Sequence, residues 1–370
     1  MPVFFATRTT SNLALNPDAA GVCLSLTFLF TISATMAAFG LVFAQLFAPK
    51  TLLLDKPNAR SLHTTPKPRQ GGIAIAIAVG VLAPFVVAPG LMSILCLALA
   101  LLAISVFDDL KPLPVLIRLC VHVAVAIAAV VMINASAAST HPLNVSPRYW
   151  IASLPAICIG SFLVLWMTNL FNFMDGADGL AGGMALIGFG IFAFAASGAN
   201  NTGPPLAALA SVLAGAAAGF LLFNFPPARV FMGDAGSIPL GFLAGALGIY
   251  GYVNGLWPWS FAPLVFSPFI VDATVTLARR AARGEKVWQA HREHYYQRLI
   301  LSGWSHRKTI ISYYILMLAS AISALAIQKT QLQYPILGFW VITYASLLLY
   351  LEHRIFKNKK ATQKAIDQAK

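Results

Sequence analysis

The sequence predicts an all-α, polytopic integral membrane protein with about eleven transmembrane helices, its N-terminus outside and its C-terminus cytoplasmic. Three observations carry this expectation. Hydrophobic residues make up 58% of the 370 and charged residues only 10%, where soluble domains carry about 25% charged. Apolar runs of bilayer length, roughly 17 to 25 residues, recur from residue 21 to residue 351. The Lys and Arg residues, finally, fall almost entirely on alternate connections between those runs.

In chain order, residues 1–20 form a mildly polar segment with only Arg8 and Asp18 charged. The run 21–48 has no adjoining basic segment and exceeds a signal-peptide core in length, so it is expected to be retained as the first span. Further spans are expected near 71–89, 90–107, 115–133, 151–171, 180–198, 205–223, 236–253, 258–278, 310–327 and 334–351. Pro89-Gly90 alone separates the second from the third, as a tight hairpin. Residues 21–351 thus read as one transmembrane domain, followed by a basic cytoplasmic tail, 352–370.

With the N-terminus outside, the cytoplasmic segments are 49–70, 108–114, 172–179, 224–235, 279–309 and the tail. Together with Arg118 they hold 22 of the 25 Lys and Arg residues, leaving Arg8, Arg148 and Lys329 outside. The positive-inside bias accounts for such sorting, so the net charge of +13 calls for no nucleic-acid partner. Cys23, Cys96, Cys120 and Cys158 sit in apolar runs without paired spacing and read as small hydrophobes rather than a disulfide or metal framework.

The same orientation gathers the acidic and histidine clusters on one face. F-D-D-L-K-P-L-P places Asp108 and Asp109 side by side at a span end, where two carboxylates repel unless a cation or shared proton offsets them. Mg²⁺ suits such oxygen donors, although an Asp-Lys pair at a solvated helix end is the plainer alternative. In T-N-L-F-N-F-M-D-G-A-D-G, Asn169, Asn172, Asp175 and Asp178 recur every three residues and would share one face if the helix continued that far. V-F-M-G-D-A-G-S carries Asp234 at the start of a span, as a helix cap or as a ligand.

Two basic loops complete the set. The loop 279–309 contains H-R-E-H-Y-Y-Q-R-L, with His291, Arg292, His294 and Arg298. H-x-x-H without a third ligand is a poor zinc site, whereas His and Arg together suit a diphosphate and basic side chains beside a membrane also hold anionic lipid. In D-K-P-N-A-R-S-L-H-T-T-P-K-P-R-Q-G-G, the prolines break any helix, and Lys56 and Arg69 are candidate anion contacts.

Acids for Mg²⁺, cations for phosphate and apolar helices alongside imply a substrate with a charged head and a tail in the bilayer. Transfer of a phosphoryl-linked group from a soluble nucleotide to a lipid phosphate uses every part. Transporters more often place ionisable groups at the membrane midplane; here Asp272 is the only acid well inside an expected span.

Over residues 55–310 the motifs F-D-D, N-L-F-N-F-M-D-G-A-D-G-L-A and V-F-M-G-D-A-G-S resemble those of the polyprenyl-phosphate N-acetylhexosamine-1-phosphate transferases (glycosyltransferase family 4). Within that superfamily T-P-K-P-R-Q-G-G and H-R-E-H-Y-Y-Q-R-L look most like the bacterial O-antigen initiating enzymes that use UDP-N-acetylfucosamine or UDP-GlcNAc. The resemblance implies transfer of sugar 1-phosphate from a UDP-amino sugar to undecaprenyl phosphate, with release of UMP, at the cytoplasmic face of the bacterial inner membrane. It implies Mg²⁺, or Mn²⁺, held by Asp108, Asp109 and Asp234, which would be the catalytic acids. Asn172, Asp175 and Asp178 would face the nucleotide and metal, and His291 and His294 the diphosphate. The H-R-E-H stretch departs from the His-rich stretches of the peptidoglycan enzyme and of the common-antigen initiator, which argues against a muramyl-pentapeptide donor. The runner-up is a UDP-GlcNAc-specific initiator of common-antigen or teichoic-acid type, and transport of a lipid-linked sugar is the other class. The expected chemistry is in-line attack of the lipid phosphate on the β-phosphorus, with Asp108 orienting or deprotonating the acceptor. A covalent aspartyl phosphate and a homodimer both stay open.

Overall fold

The structure, a computed structural model, describes residues 17–47, 54–55, 65–140, 153–199, 202–289 and 291–368. Lys56 and most of its loop lie outside these residues. Thirteen helices follow one another among them: α1 (Pro17–Phe47), α2 (Gly71–Leu82), α3 (Pro89–Leu110), α4 (Val115–Thr140), α5 (Leu154–Phe173), α6 (Leu180–Ser197), α7 (Gly203–Asn224), α8 (Asp234–Val253), α9 (Phe261–Val265), α10 (Ser267–Ala282), α11 (Tyr295–Leu301), α12 (His306–Lys329) and α13 (Gln333–Gln368). The only strands among the described residues are β1 (Leu54–Asp55) and β2 (Lys67–Pro68), which pair antiparallel with Asp55 opposite Lys67.

Nine helices among the described residues are long and apolar enough to cross a bilayer, where the sequence suggests about eleven. The two that fall short are interrupted by proline. The run 71–89 becomes α2, which ends at Leu82, followed by a 3-10 turn Ala83–Phe85 containing Pro84. The run 258–278 divides into α9 and α10 at Phe266. Pro268 has no N–H for the Leu264 carbonyl, and the Ser267 hydroxyl donates to that carbonyl instead, at 2.7 Å. The hairpin expected at Pro89-Gly90 is present, with Pro89 opening α3.

The core is built from α5 to α8, whose small residues allow close helix contacts. The α5–α8 seam matters most because it brings two motif-bearing helix ends together. A Cβ on Gly241 would lie 2.6 Å from both the Met167 carbonyl oxygen and the Phe171 Cβ. Glycine at this position lets the helix that begins at Asp234 lie against the one that carries Asn172, and the Ser237 hydroxyl donates to Asn172 Oδ1 at 2.9 Å.

Candidate active site

One cavity of ≈ 650 Å³ opens at the end of the bundle where α3 and α5 finish and α8 begins. Arg69, Asp108, Asp109, Asn172, Asp175, Asp178 and Asp234 all line it. Seven residues expected at the site, drawn from four separate motifs, therefore share one space.

The two adjacent aspartates do different things, because neighbours on a helix point about 100° apart. Asp108 accepts from the Leu113 N–H at 2.6 Å through one oxygen and from Arg118 Nη1 at 2.7 Å through the other. It closes the turn between α3 and α4 and holds the arginine in place. Asp109 turns to the other side and accepts from Arg69 Nη1 at 3.2 Å, while Arg69 Nη2 donates to Asp55 at 2.6 Å. Arg118 Nη1 also lies 3.9 Å from Asp234. Two guanidinium groups thus stand between four carboxylates.

Arg69 is delivered by backbone pairing across motifs. Phe231 N–H donates to the Pro68 carbonyl, and the Gly71 and Gly72 N–H groups donate to the carbonyls of Phe231 and Met232, each at 2.9 Å. A Cβ on Gly72 would lie 2.2 Å from the Gly236 nitrogen. The Q-G-G end of that loop is therefore the surface on which the start of α8 rests.

The regular spacing of Asn169, Asn172, Asp175 and Asp178 does not put them on one helical face, because α5 ends at Phe173. Asn169 points back into the bundle, donating to the Leu165 carbonyl at 2.8 Å and meeting the buried His122 ring of α4. Asp178 accepts from the Ala228 N–H at 2.9 Å and lies 3.9 Å from Lys67 Nζ. Beside it Asn224 accepts from Gly179 N–H at 2.8 Å and donates to the Val230 carbonyl at 2.9 Å. These two side chains staple the 174–179 turn to the 225–233 loop. Asp175 lines the cavity. Burial first, and then the nearby charge of Asp234, push its carboxyl well above the usual carboxylate range, against the opposing pull of Arg69 and a hydrogen bond from the Gly233 N–H.

The H-R-E-H residues lie behind the cavity wall. His294 is buried, with Nδ1 3.4 Å from Asp272 Oδ1 and its ring stacked on Phe173 and Tyr296. His291 packs against it at 4.8 Å between ring centroids. Burial, and then the adjacent His294 and Arg280, lower the His291 imidazole to about 4. Arg298 forms a two-pronged ion pair with Glu352 of α13, at 2.5 and 2.9 Å. Arg292 is exposed. Asp272 organises the segment: it accepts from the Tyr295 N–H at 2.8 Å, the Tyr296 N–H at 3.1 Å and the Tyr313 hydroxyl at 2.5 Å. Tyr296 passes this order to the site by donating from its hydroxyl to the Phe173 carbonyl at 3.1 Å.

Several wall residues were not among the sequence candidates: Asp55, Arg118, Asn224, Tyr296, Gln297 and His306. For Arg118 a signal existed, since a cation within an apolar run points to function. Nothing in the pattern marks Gln297, which reaches the cavity only because α11 folds back.

A polytopic membrane protein with a charged cavity of ≈ 650 Å³ at one end of an apolar bundle is the class that fold and site define. A family profile described as glycosyl transferase family 4 matches residues 91–252. A probable undecaprenyl-phosphate N-acetylglucosaminyl 1-phosphate transferase of Bacillus subtilis (strain 168) is 29% identical over 290 residues, covering 75% of this chain and 77% of its own. A decaprenyl-phosphate N-acetylglucosaminephosphotransferase of Mycolicibacterium smegmatis is 29% identical over 350 residues, covering 85% and 86%. A phospho-N-acetylmuramoyl-pentapeptide-transferase of Synechococcus sp. is 35% identical over 164 residues, covering 42% and 44%. The chain is similar along most of its length to polyprenyl-phosphate N-acetylglucosamine-1-phosphate transferases.

Proposed function

We propose that the protein transfers N-acetylhexosamine 1-phosphate from a UDP-sugar to undecaprenyl phosphate, releasing UMP, with its cavity at the cytoplasmic face. The observation that carries this reading is the single cavity in which Asp108, Asp109, Asp175 and Asp234 alternate with Arg69 and Arg118 beside apolar helices. UDP-GlcNAc is the favoured donor within the class. Its support is that relatives named for N-acetylglucosamine align along 75% and 85% of the chain, whereas the muramoyl-pentapeptide relative aligns along 42%. UDP-N-acetylfucosamine, suggested by the basic motifs and tied to an O-antigen role, is the alternative.

The donor set fits a hard divalent cation, since every acidic group on the wall offers carboxylate oxygen. Among the described residues no three His, Cys, Asp or Glu side chains converge on one metal-sized point. An ion such as Mg²⁺ takes one or two carboxylates and leaves its other positions to water and substrate phosphate. Asp109 and Asp234, with Asp108 beside them, would hold it. A Mg²⁺ there supplies charge neutralisation to the donor diphosphate.

The chain's own groups do the positioning that phosphoryl transfer depends on. Arg69 and Arg118 line the cavity and bind phosphate oxygens through the donors their carboxylate partners leave free. Asp108 acts as an orienting group, since both of its oxygens already accept hydrogen bonds. Asp175 lines the cavity beside Asp234 and would face the nucleotide and the metal. An acceptor phosphate oxygen then attacks the β-phosphorus in line, and UMP leaves.

The test is UMP release by the purified protein with undecaprenyl phosphate and, separately, UDP-GlcNAc, UDP-GalNAc and UDP-N-acetylfucosamine. Release with UDP-GlcNAc, abolished by a chelator and by Asp109→Asn in protein that still elutes as folded, is the expected result. Full activity of that variant, or activity unaffected by chelation, overturns the metal assignment.

A further inference from the structure

A second cavity, of ≈ 460 Å³, lies between α10, α12 and α13, on the far side of α11 from the acidic site. Its walls are mostly apolar, with Leu316, Leu347 and Trp340 among them. On α12 it runs from Ser312 to Ser323, and eleven residues rising about 1.5 Å each span about 16 Å. That is about half of the roughly 30 Å hydrocarbon core, the depth of one leaflet.

One end of this crevice is cationic. Trp304 lines it, with the Lys308 ammonium 4.4 Å and the Arg354 guanidinium 5.1 Å from its ring centroid. The neighbouring acid, Glu352, is engaged by Arg279 and Arg298. Neither Lys308 nor Arg354 has a carboxylate at ion-pair distance among the described residues. A leaflet-deep apolar slot flanked at one end by two cations that no described carboxylate holds has the polarity of one kind of molecule.

We propose that this crevice is a binding site for an anionic glycerophospholipid, separate from the acidic cavity. An acyl chain fills the slot and the phosphate lies beside Lys308 and Arg354. Basic pockets between transmembrane helices recognise anionic head groups in this way. The slot lies across α11 from the acidic cavity, which distinguishes this occupant from a polyprenyl phosphate acceptor, whose phosphate must reach that cavity.

The experiment uses phospholipids brominated in their acyl chains, which quench nearby tryptophan. Trp340 sits deep in the slot, and the difference between wild type and Trp340→Phe isolates it from the other six tryptophans. Titrated into the detergent-purified protein, brominated phosphatidylglycerol is expected to quench Trp340 at about tenfold lower mole fraction than brominated phosphatidylcholine. The preference should vanish in Lys308→Gln/Arg354→Gln, and quenching itself in the slot-filling variant Ala319→Phe, with helical circular dichroism retained in both. Equal quenching by the two lipids overturns the proposal, because it marks ordinary bilayer solvation. Absence of Trp340 quenching together with a dimer by mass measurement also overturns it and assigns the slot to a second copy. Displacement of the brominated lipid by undecaprenyl phosphate but not by unlabelled phosphatidylglycerol overturns it in favour of the acceptor lipid.

Discussion

Arg118 shows how much a single side chain decides at this site. Its guanidinium bonds Asp108 at 2.7 Å and lies 3.9 Å from Asp234, so it holds two carboxylates near one another that would otherwise repel. Both contacts run through Nη1; lysine would keep the charge but lose the planar guanidinium and the further donors it leaves for a phosphate. Arg118→Lys is expected to lower kcat on the order of tenfold to a hundredfold, and Arg118→Leu further, with donor binding less affected. Steady-state kinetics with the favoured donor checks this, and an unchanged kcat would remove Arg118 from the site. His291 makes a second residue-scale case. Its imidazole is lowered to about 4 in the fold, against about 6.5 in an unfolded chain, so the unfolded state binds the extra proton first. Its contribution to stability is present above pH ~6.5 and is lost as pH falls towards 4. Melting temperatures of wild type and His291→Gln, measured across that window, should converge at the acid end. Parallel curves would show that this ring does not set the slope.

At the scale of elements, the segment between α10 and α12 acts as a strut. Asp272 takes two backbone N–H groups at the start of α11 and the Tyr313 hydroxyl of α12, so one carboxylate joins three helices. From there Tyr296 reaches the Phe173 carbonyl, two residues before Asp175. Asp272→Asn substitutes an N–H₂ for one of these acceptor oxygens and should cost about 3 kcal/mol of stability. If the strut positions Asp175, turnover falls in the folded fraction as well, with donor KM rising less than kcat drops. A variant that is less stable yet fully active once folded would confine Asp272 to a scaffolding role. The strut also explains why H-R-E-H was hard to read. His and Arg in a loop suggest anion contacts, but His294 stacks inside the wall and Arg298 pairs with Glu352, 54 positions away.

For the whole molecule, function depends on helix ends meeting at one depth. One close constraint is the α5–α8 seam at Gly241, where any Cβ would strike Met167 and Phe171. Gly241→Leu should separate the Asn172 and Asp234 ends, lower thermal stability by about 1–3 kcal/mol as an overpacked contact, and nearly abolish turnover. A melting curve paired with an activity assay separates the two effects, and retained activity would show that the seam tolerates spreading.

Several features of this architecture follow from the sequence alone, because membrane solvation constrains it so strongly. Apolar length marks most of the helices, since a backbone in hydrocarbon must satisfy its own hydrogen bonds. The paired aspartates, the N-x-x-D turn and the G-D-A-G start of α8 stand out against apolar surroundings because a charge there needs a reason. Three things were decided only by tertiary structure. Proline interrupted two apolar runs, and Ser267 took over a carbonyl that Pro268 could not serve. Asn169 turned inward although its spacing matched the others, because α5 stops at Phe173 and the chain changes direction. Gln297 and Tyr296 joined the acids on the cavity wall through contacts between segments far apart in the chain. Periodicity and composition are local properties and can be read along the chain. Which side chain faces a cavity depends on where distant helices cross, and that is set by packing.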